Sequence, residues 1–270
     1  MALPSAAAAR YTFVVRRTLR RSPPTGPSTA VDIGWATAQG SRAANEDRVA
    51  VGDAWVALSD GIGGYRGGAR AAQLAVDAVA AVLSPPGRPD DGPPAERVGE
   101  AVTHANAVVR AARAGEDGLA RMGATLTVGA DAGDGRWLVT NLGDSPAWLV
   151  RAGRLALLTE AHNLTGELVR SGTLDPAEAG RHPGRRVLLR AVGLEERPVP
   201  AHRFVRVAPG DHLVLASDGL TEGVGAASIA AALGGRTARV TARRLVEAAL
   251  AGGARDNVTV VVVRVGSAPG

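Results

Sequence analysis

Val56-Ala57-Leu58-Ser59-Asp60-Gly61-Ile62-Gly63-Gly64 is an apolar run that ends in a single carboxylate followed by glycines. Beyond it an alanine-rich helical pattern opens at about Ala69. The stretch reads as a buried strand delivering Asp60 to the rim of a sheet, then a turn in which only glycine fits. The same grammar recurs near the other end. Asp211-His212-Leu213-Val214-Leu215-Ala216-Ser217-Asp218-Gly219 is again an apolar strand running into Ser-Asp-Gly. Two carboxylates at the ends of buried strands, each followed by glycine, are hard oxygen donors on a rigid support. Such donors suit magnesium or manganese.

Outward from these two stretches, strand and helix patterns are both present. Val31–Thr37, Arg48–Val51 and Trp55–Ser59 read as strands, with the polar loop Gly40-Ser41-Arg42-Ala43-Ala44-Asn45-Glu46-Asp47 between the first two. Ala69–Leu83 and Ala95–Ala114 carry apolar residues at helical spacing, separated by a proline-rich loop. Four strands are expected at Gly123–Ala130, Arg136–Asn141, Pro146–Arg151 and Arg154–Leu158. Leu164–Ser171 and an N-capped turn at Asp175-Pro176 read as helical, and Arg181–Arg186 as irregular. Strands follow at His202–Val207 and Leu213–Ser217, helices at Ser228–Leu233 and Thr237–Leu250, and a β-branched strand at Val258–Val265. This order is not the strict alternation of a doubly wound sheet. It predicts an α+β fold, a four-layer α-β-β-α sandwich of two antiparallel sheets, with the helices of 69–114 on one sheet and those of 228–250 on the other.

At 270 residues one large domain with a substantial core is feasible. Without cysteine there is no disulfide framework, thiolate metal site or cysteine nucleophile. No apolar run reaches the length of a membrane-spanning helix. The net charge of +5 has a local source: residues 1–28 hold Arg10, Arg16, Arg17, Arg20 and Arg21 and no acid. The remaining basic residues equal the 26 acidic ones, so the body is neutral and no nucleic-acid partner is expected. Residues 1–28 read as a disordered basic tail and 29–267 as one folded domain. In the tail, Arg16-Arg17 precedes Thr-Leu-Arg-Arg-Ser-Pro-Pro, where an export signal would need an apolar stretch.

Asp60, Asp144 and Asp218 sit beside glycine at strand ends or tight turns, and Asp256 precedes the last strand. Each alone is an ordinary turn residue. Four of them converging would repel strongly unless cations intervened. A pair of divalent ions about 4 Å apart would relieve that repulsion and could clamp the oxygens of an in-line displacement. Arg42, in a loop with Asn45, Glu46 and Asp47, is a candidate phosphate fork. Gly61–Gly68 brushes against a dinucleotide fingerprint, but Arg66 stands at its sixth position and no alternating βαβ unit follows. No lysine occurs, so no Walker loop is possible, and the five histidines lie outside the carboxylate motifs.

With these residues assembled, the chain resembles the protein phosphatase type 2C family of metal-dependent serine/threonine phosphatases, in its compact bacterial form. The ordered series is Arg42-x-x-Asn45-Glu46-Asp47, Asp60-Gly61-Ile62-Gly63-Gly64, Gly123-Ala124-Thr125, Asn141-Leu142-Gly143-Asp144-Ser145, His182-Pro183 with Arg190-Ala191-Val192-Gly193, Ser217-Asp218-Gly219-Leu220 and Asp256-Asn257-Val258-Thr259. The resemblance implies the same sandwich fold and two manganese or magnesium ions. Asp60 would bridge them, the Gly61 carbonyl, Asp218 and Asp256 would complete the inner ligands, and Asp144 would join Asp218 around a third, weaker ion. Glu46 and Asp47 would hold metal-bound waters, and Arg42 would grip the substrate phosphate. The implied reaction is direct hydrolysis of phosphoserine or phosphothreonine by a metal-bridging hydroxide, without a phosphoenzyme.

The sequence departs from the family at several points. Ile62 stands where others carry methionine or histidine, Pro146 where arginine is usual, and Ala161 where an acid is common. Arg186 and Leu189 replace small polar residues in the segment 165–190, which resembles a mobile flap. The inner-ligand positions are intact, which favours an active enzyme over the alternative, a catalytically silent phosphoprotein-binding regulatory module of the same fold. The expected setting is a bacterial cytoplasm, with a monomer acting on the phosphoprotein products of a serine/threonine kinase.

Overall fold

The computed structural model describes residues 11–12, 30–62, 67–84, 93–114, 122–233 and 236–266. The chain begins with β1 (Tyr11–Thr12), β2 (Val31–Ala38), β3 (Arg48–Val51), β4 (Trp55–Ser59) and β5 (Gly61–Ile62). Helices α1 (Gly67–Leu83) and α2 (Pro94–Ala114) come next. The strands β6 (Gly123–Ala124), β7 (Leu126–Gly133), β8 (Arg136–Leu142), β9 (Ala147–Arg151) and β10 (Arg154–Leu157) follow. A helical stretch holds α3 (Leu164–Arg170), α4 (Pro176–Ala179) and a 3-10 turn at Pro183–Arg186. The last part is β11 (Ala201–Arg206), β12 (His212–Ala216), α5 (Gly219–Gly223), α6 (Ala226–Ala231), α7 (Ala238–Ala251) and β13 (Val258–Val265).

Two antiparallel sheets carry the fold, in the orders β1-β2-β13-β12-β9-β10 and β11-β8-β7-β4-β3, with a small β5-β6 pair beside them. The central strands are buried on both faces, so their side chains sort by alternation into separate layers. Val56 and Leu58 of β4, Leu213 and Leu215 of β12, and Val261 and Val263 of β13 fill the space between the sheets. The opposite faces turn to helices: Trp55 and Ala57 pack with α1 and α2, while Val214, Ala216, Val260 and Val262 pack with α6 and α7. This is the four-layer sandwich expected from the sequence. The expected disordered tail falls largely outside the described residues, although Tyr11 and Thr12 pair with Ala38 and Thr37.

Two local readings are corrected, and one helix is added. Gly123–Ala130 is not one strand but two, broken at Thr125. Thr125 leaves the ladder to exchange main-chain and side-chain hydrogen bonds with Asp60. Arg181–Arg186 contains the 3-10 turn Pro183–Arg186, whose first amides are capped when Gly184 N–H donates to His182 Nδ1. α5 (Gly219–Gly223) had no sequence signature at all, being a single turn between glycines.

Candidate metal centre

Asp60 and Asp218 emerge at one rim of the sandwich because β4 and β12, in facing sheets, both end there. Ser59 and Ser217 are the last fully buried residues before each carboxylate. The local structure then fixes Asp60 tightly. Its N–H donates to Thr125 Oγ1 at 2.9 Å, its carbonyl accepts from Thr125 N–H at 2.8 Å, and the Ser59 hydroxyl donates to the Thr125 carbonyl at 2.6 Å. Gly61 continues into the β5-β6 pair opposite Ala124. A Cβ on Gly61 would stand 2.2 Å from the carbonyl oxygen of Gly68 at the start of α1, so glycine is obligatory there for packing.

The loop carrying Arg42, Glu46 and Asp47 is brought to the same rim by the segment 255–257. Ser41 N–H donates to the Arg255 carbonyl, Asn257 Nδ2 donates to the carbonyls of Gln39 and Ala44, and Asn257 Oδ1 accepts from Glu46 N–H. Gly40 makes the approach possible: at φ +62° it lies 2.1 Å, as a notional Cβ, from the Asp256 carbonyl oxygen. Asp47 is buried and accepts from Ser217 Oγ at 2.8 Å, while Ser217 Oγ itself accepts from Thr259 N–H. Asp144 sits in the β8–β9 turn and accepts from Asn163 Nδ2 at 3.0 Å. Arg42 reaches across to Asp256 Oδ2 at 2.5 Å.

The electrostatics show that these carboxylates face one another. Burial raises Asp60 well above the usual range, and repulsion from Asp47, Asp218, Asp144 and Asp256 adds to it. Asp218 is pushed up to about 7 by burial and then by Asp144 and Asp256. Burial lifts Asp47 to about 6 against the opposing hydroxyls of Thr259 and Ser217. Burial likewise raises Asp144 and Glu46, opposed by Asn163 and Arg42 respectively. Desolvation works against the Arg42 charge, yet Asp256, Asp218 and Asp60 together hold its pKa above the usual value. Asp47, Asp60, Asp144, Asp218 and Glu46 are all shifted against ionisation, and a cation beside them would stabilise their charged forms.

Among the described residues, no group of three or more His, Asp or Glu side chains is arranged closely enough to hold a metal ion by itself. The carboxylates instead make an open cluster. Its donor chemistry fits hard divalent cations: it offers carboxylate oxygens, with no sulfur. Two buried carboxylate oxygens, Glu46 Oε1 and Asp47 Oδ1, have no hydrogen-bond partner. Such orphans are costly unless a cation or its water shell satisfies them. His162 lies against the backbone next to Asp144: its Nδ1 accepts Gly143 N–H, and burial lowers its pKa, so its role here is structural.

All the candidates named from the sequence (Arg42, Glu46, Asp47, Asp60, Gly61, Asp144, Asp218 and Asp256) therefore lie at this rim. The sequence reading gave no role to Thr125, Ser217, Asn257, Asn163 or Glu222. Asn163 had a usable signal, since it precedes a helical pattern and does cap α3 through Gly166 N–H. Glu222 had none. Its carboxylate accepts from the backbone N–H groups of Arg255 and Asp256 and pairs with Arg186.

Comparison with known proteins agrees with this geometry. A family model described as protein phosphatase 2C matches residues 37–252. The serine/threonine protein phosphatase PstP of Mycobacterium tuberculosis is 39% identical over 228 residues, covering 83% of this chain and 43% of PstP. The chain thus spans less than half the length of that curated relative. The serine/threonine phosphatase stp of Listeria innocua is 31% identical over 220 residues, 77% of this chain and 83% of stp. Among solved structures, the PPM Ser-Thr phosphatase MsPP of Mycobacterium smegmatis in complex with cacodylate superposes with a TM-score of 0.77 at 36% identity, over 87% of this chain and 98% of that one. The catalytic domain of PstP in complex with two manganese ions gives 0.77 at 34% identity, over 88% of this chain and 100% of that domain.

Proposed function

The chain belongs to the protein phosphatase 2C family, and we propose that it is a metal-dependent protein serine/threonine phosphatase whose residues 29–267 form the catalytic unit. The observation that carries this reading is the meeting of Asp60, Asp218, Asp256 and Arg42 at one rim, supplied by both sheets. Asp60, the Gly61 carbonyl, Asp218 and Asp256 would hold two manganese or magnesium ions, with Asp144 and Asp218 beside a third. Such ions supply Lewis acidity toward phosphate oxygens and lower the pKa of water.

The chain's own groups divide the remaining work. Arg42 presents a planar fork, half exposed, which suits two oxygens of a phosphate monoester and the charge that spreads over them as the P–O bond to serine or threonine breaks. Glu46 and Asp47 orient water through oxygens that have no protein partner, and Ser217 keeps the Asp47 carboxylate in one rotamer. Thr125 fixes the main chain from which the Asp60 carboxylate projects. Water provides the oxygen that replaces the seryl or threonyl oxygen on phosphorus, so no phosphorylated side chain is required.

The substrates would be phosphoserine and phosphothreonine proteins, made by a serine/threonine kinase, and the setting a bacterial cytoplasm. Among the described residues no helix is long and apolar enough to cross a membrane. A phosphopeptide assay with and without manganese, in the parent and in Asp60→Asn, tests the reading. Metal-dependent phosphate release that disappears in the variant is the expected result, and a parent without metal-dependent turnover would refute it.

A further inference from the structure

Beside the carboxylate cluster lies a groove of about 700 Å³ whose lining includes Asp144, Asp218, Arg185, Arg186, Glu222 and Arg255. One wall is the 3-10 turn Pro183–Arg186 and the other is α5 with the segment leading to β13. Glu222 joins the two walls. Its Oε1 takes the guanidinium of Arg186 and, at 3.5 Å, that of Arg185. Its Oε2 accepts from the backbone N–H groups of Arg255 at 3.2 Å and Asp256 at 3.3 Å. The Glu222 side chain is only 16% exposed, so this is not the solvated surface pair whose contribution is usually negligible.

Each wall has anchors of its own. α5 starts directly after Asp218 and is jammed against the end of α7: a Cβ on Gly223 would meet the Ala249 carbonyl at 2.1 Å. The turn at 183–186 is held by the Arg185 carbonyl accepting from Asn163 Nδ2, the Val187 carbonyl accepting from Leu164 N–H, and Gly184 packed against Leu164. We propose that Glu222 is a positioning residue that clamps the 183–186 turn to the segment presenting Asp256. One carboxylate then governs both the width of the groove and the placement of a residue in the cluster. The consequence for turnover rests on the phosphatase reading above; the clamp itself does not.

Hydrogen exchange followed by mass spectrometry on the full chain tests the clamp without reference to activity. Glu222→Ala should accelerate exchange about tenfold at the amides of Arg255 and Asp256 and in the 183–190 stretch, matching the loss of hydrogen bonds to a charged group. Arg186→Ala, at a half-exposed position that leaves the fold intact, should accelerate only the 183–190 stretch. In kinetics with manganese, Arg186→Ala should raise KM for a phosphopeptide about three- to tenfold, with a smaller rise for p-nitrophenyl phosphate, which is too short to span the groove. Arg186→Lys should recover most of the phosphopeptide loss. Unchanged exchange at 255–256 in Glu222→Ala, or equal KM rises for both substrates in Arg186→Ala, overturns the clamp. A parent with no metal-dependent turnover refutes the phosphatase reading alone, because the exchange arms still decide the clamp.

Discussion

Stripping divalent ions from this protein should make its stability fall as pH rises, the reverse of ordinary acid denaturation. In the metal-free chain Asp218 has a pKa of about 7 and Asp47 of about 6, against 3.8 for an unperturbed aspartate. Between those limits the folded state binds more protons than the unfolded state, so the slope of unfolding free energy with pH is negative. The loss begins above about pH 4 and is complete just above pH 7. From pH 5.5 to 8 Asp218 loses about 1.5 pH units of preferential protonation, about 2 kcal/mol, and Asp47 about 1 kcal/mol. The sum of about 3 kcal/mol corresponds to a melting temperature roughly 5–10 °C lower at pH 8. Thermal melts in a chelating buffer at the two pH values measure it directly. Asp218→Asn should abolish about two thirds of the difference, and saturating manganese should raise the melting temperature more at pH 8 than at pH 5.5. A metal-free melting temperature that is flat or rising over this range, or a slope undiminished in Asp218→Asn, would refute the argument that these carboxylates are held together at an energetic cost.

Other substitutions probe the supports of the site. Gly61→Ala forces a carbon into a space 2.2 Å from the Gly68 carbonyl, so it should destabilise the fold by about 1–3 kcal/mol and remove activity, as read by chemical denaturation and phosphopeptide turnover. Thr125→Val leaves Asp60 N–H and Ser145 Oγ without their partner, with an expected cost of about 1–3 kcal/mol in the same denaturation experiment. Arg42→Ala should lower kcat/KM on a phosphopeptide by about 100-fold, near the cost of losing one preorganised donor to a developing charge, while Arg42→Lys, which keeps the charge but not the fork, should recover only part of it.

Much of this architecture was legible because its signals were local. Val56–Asp60 and His212–Asp218 announce buried strands with a carboxylate at the end, and Asp175-Pro176 announces a capped helix start that the structure contains, with Asp175 accepting from Ala177 N–H. What escaped notice depends on partners far away in the chain. The strand over Gly123–Ala130 breaks at Thr125 because that residue serves Asp60, 65 positions earlier. The dual role of Asn257, bridging residues 39, 44 and 46, rests on contacts more than 200 positions apart. α5 is a single turn with glycine at both ends, and propensity alone would not form it; packing on α7 does. Arg186 was visible only as a departure from the family, and its meaning appears when Glu222 is found opposite it.

The arrangement of the interior carries one further consequence. Leu58 and Leu215 lie in the apolar layer that separates the two sheets, and the carboxylates of Asp60 and Asp218 stand two and three residues beyond them. The thickness of that oily filling therefore works as a caliper whose jaws are the two aspartates. A methyl group added or removed there, touching neither jaw, resets the gap between them. On the proposed reading, in which these two aspartates hold the ions, preference among cations of different radius is adjustable from within this protein as well as from its edge.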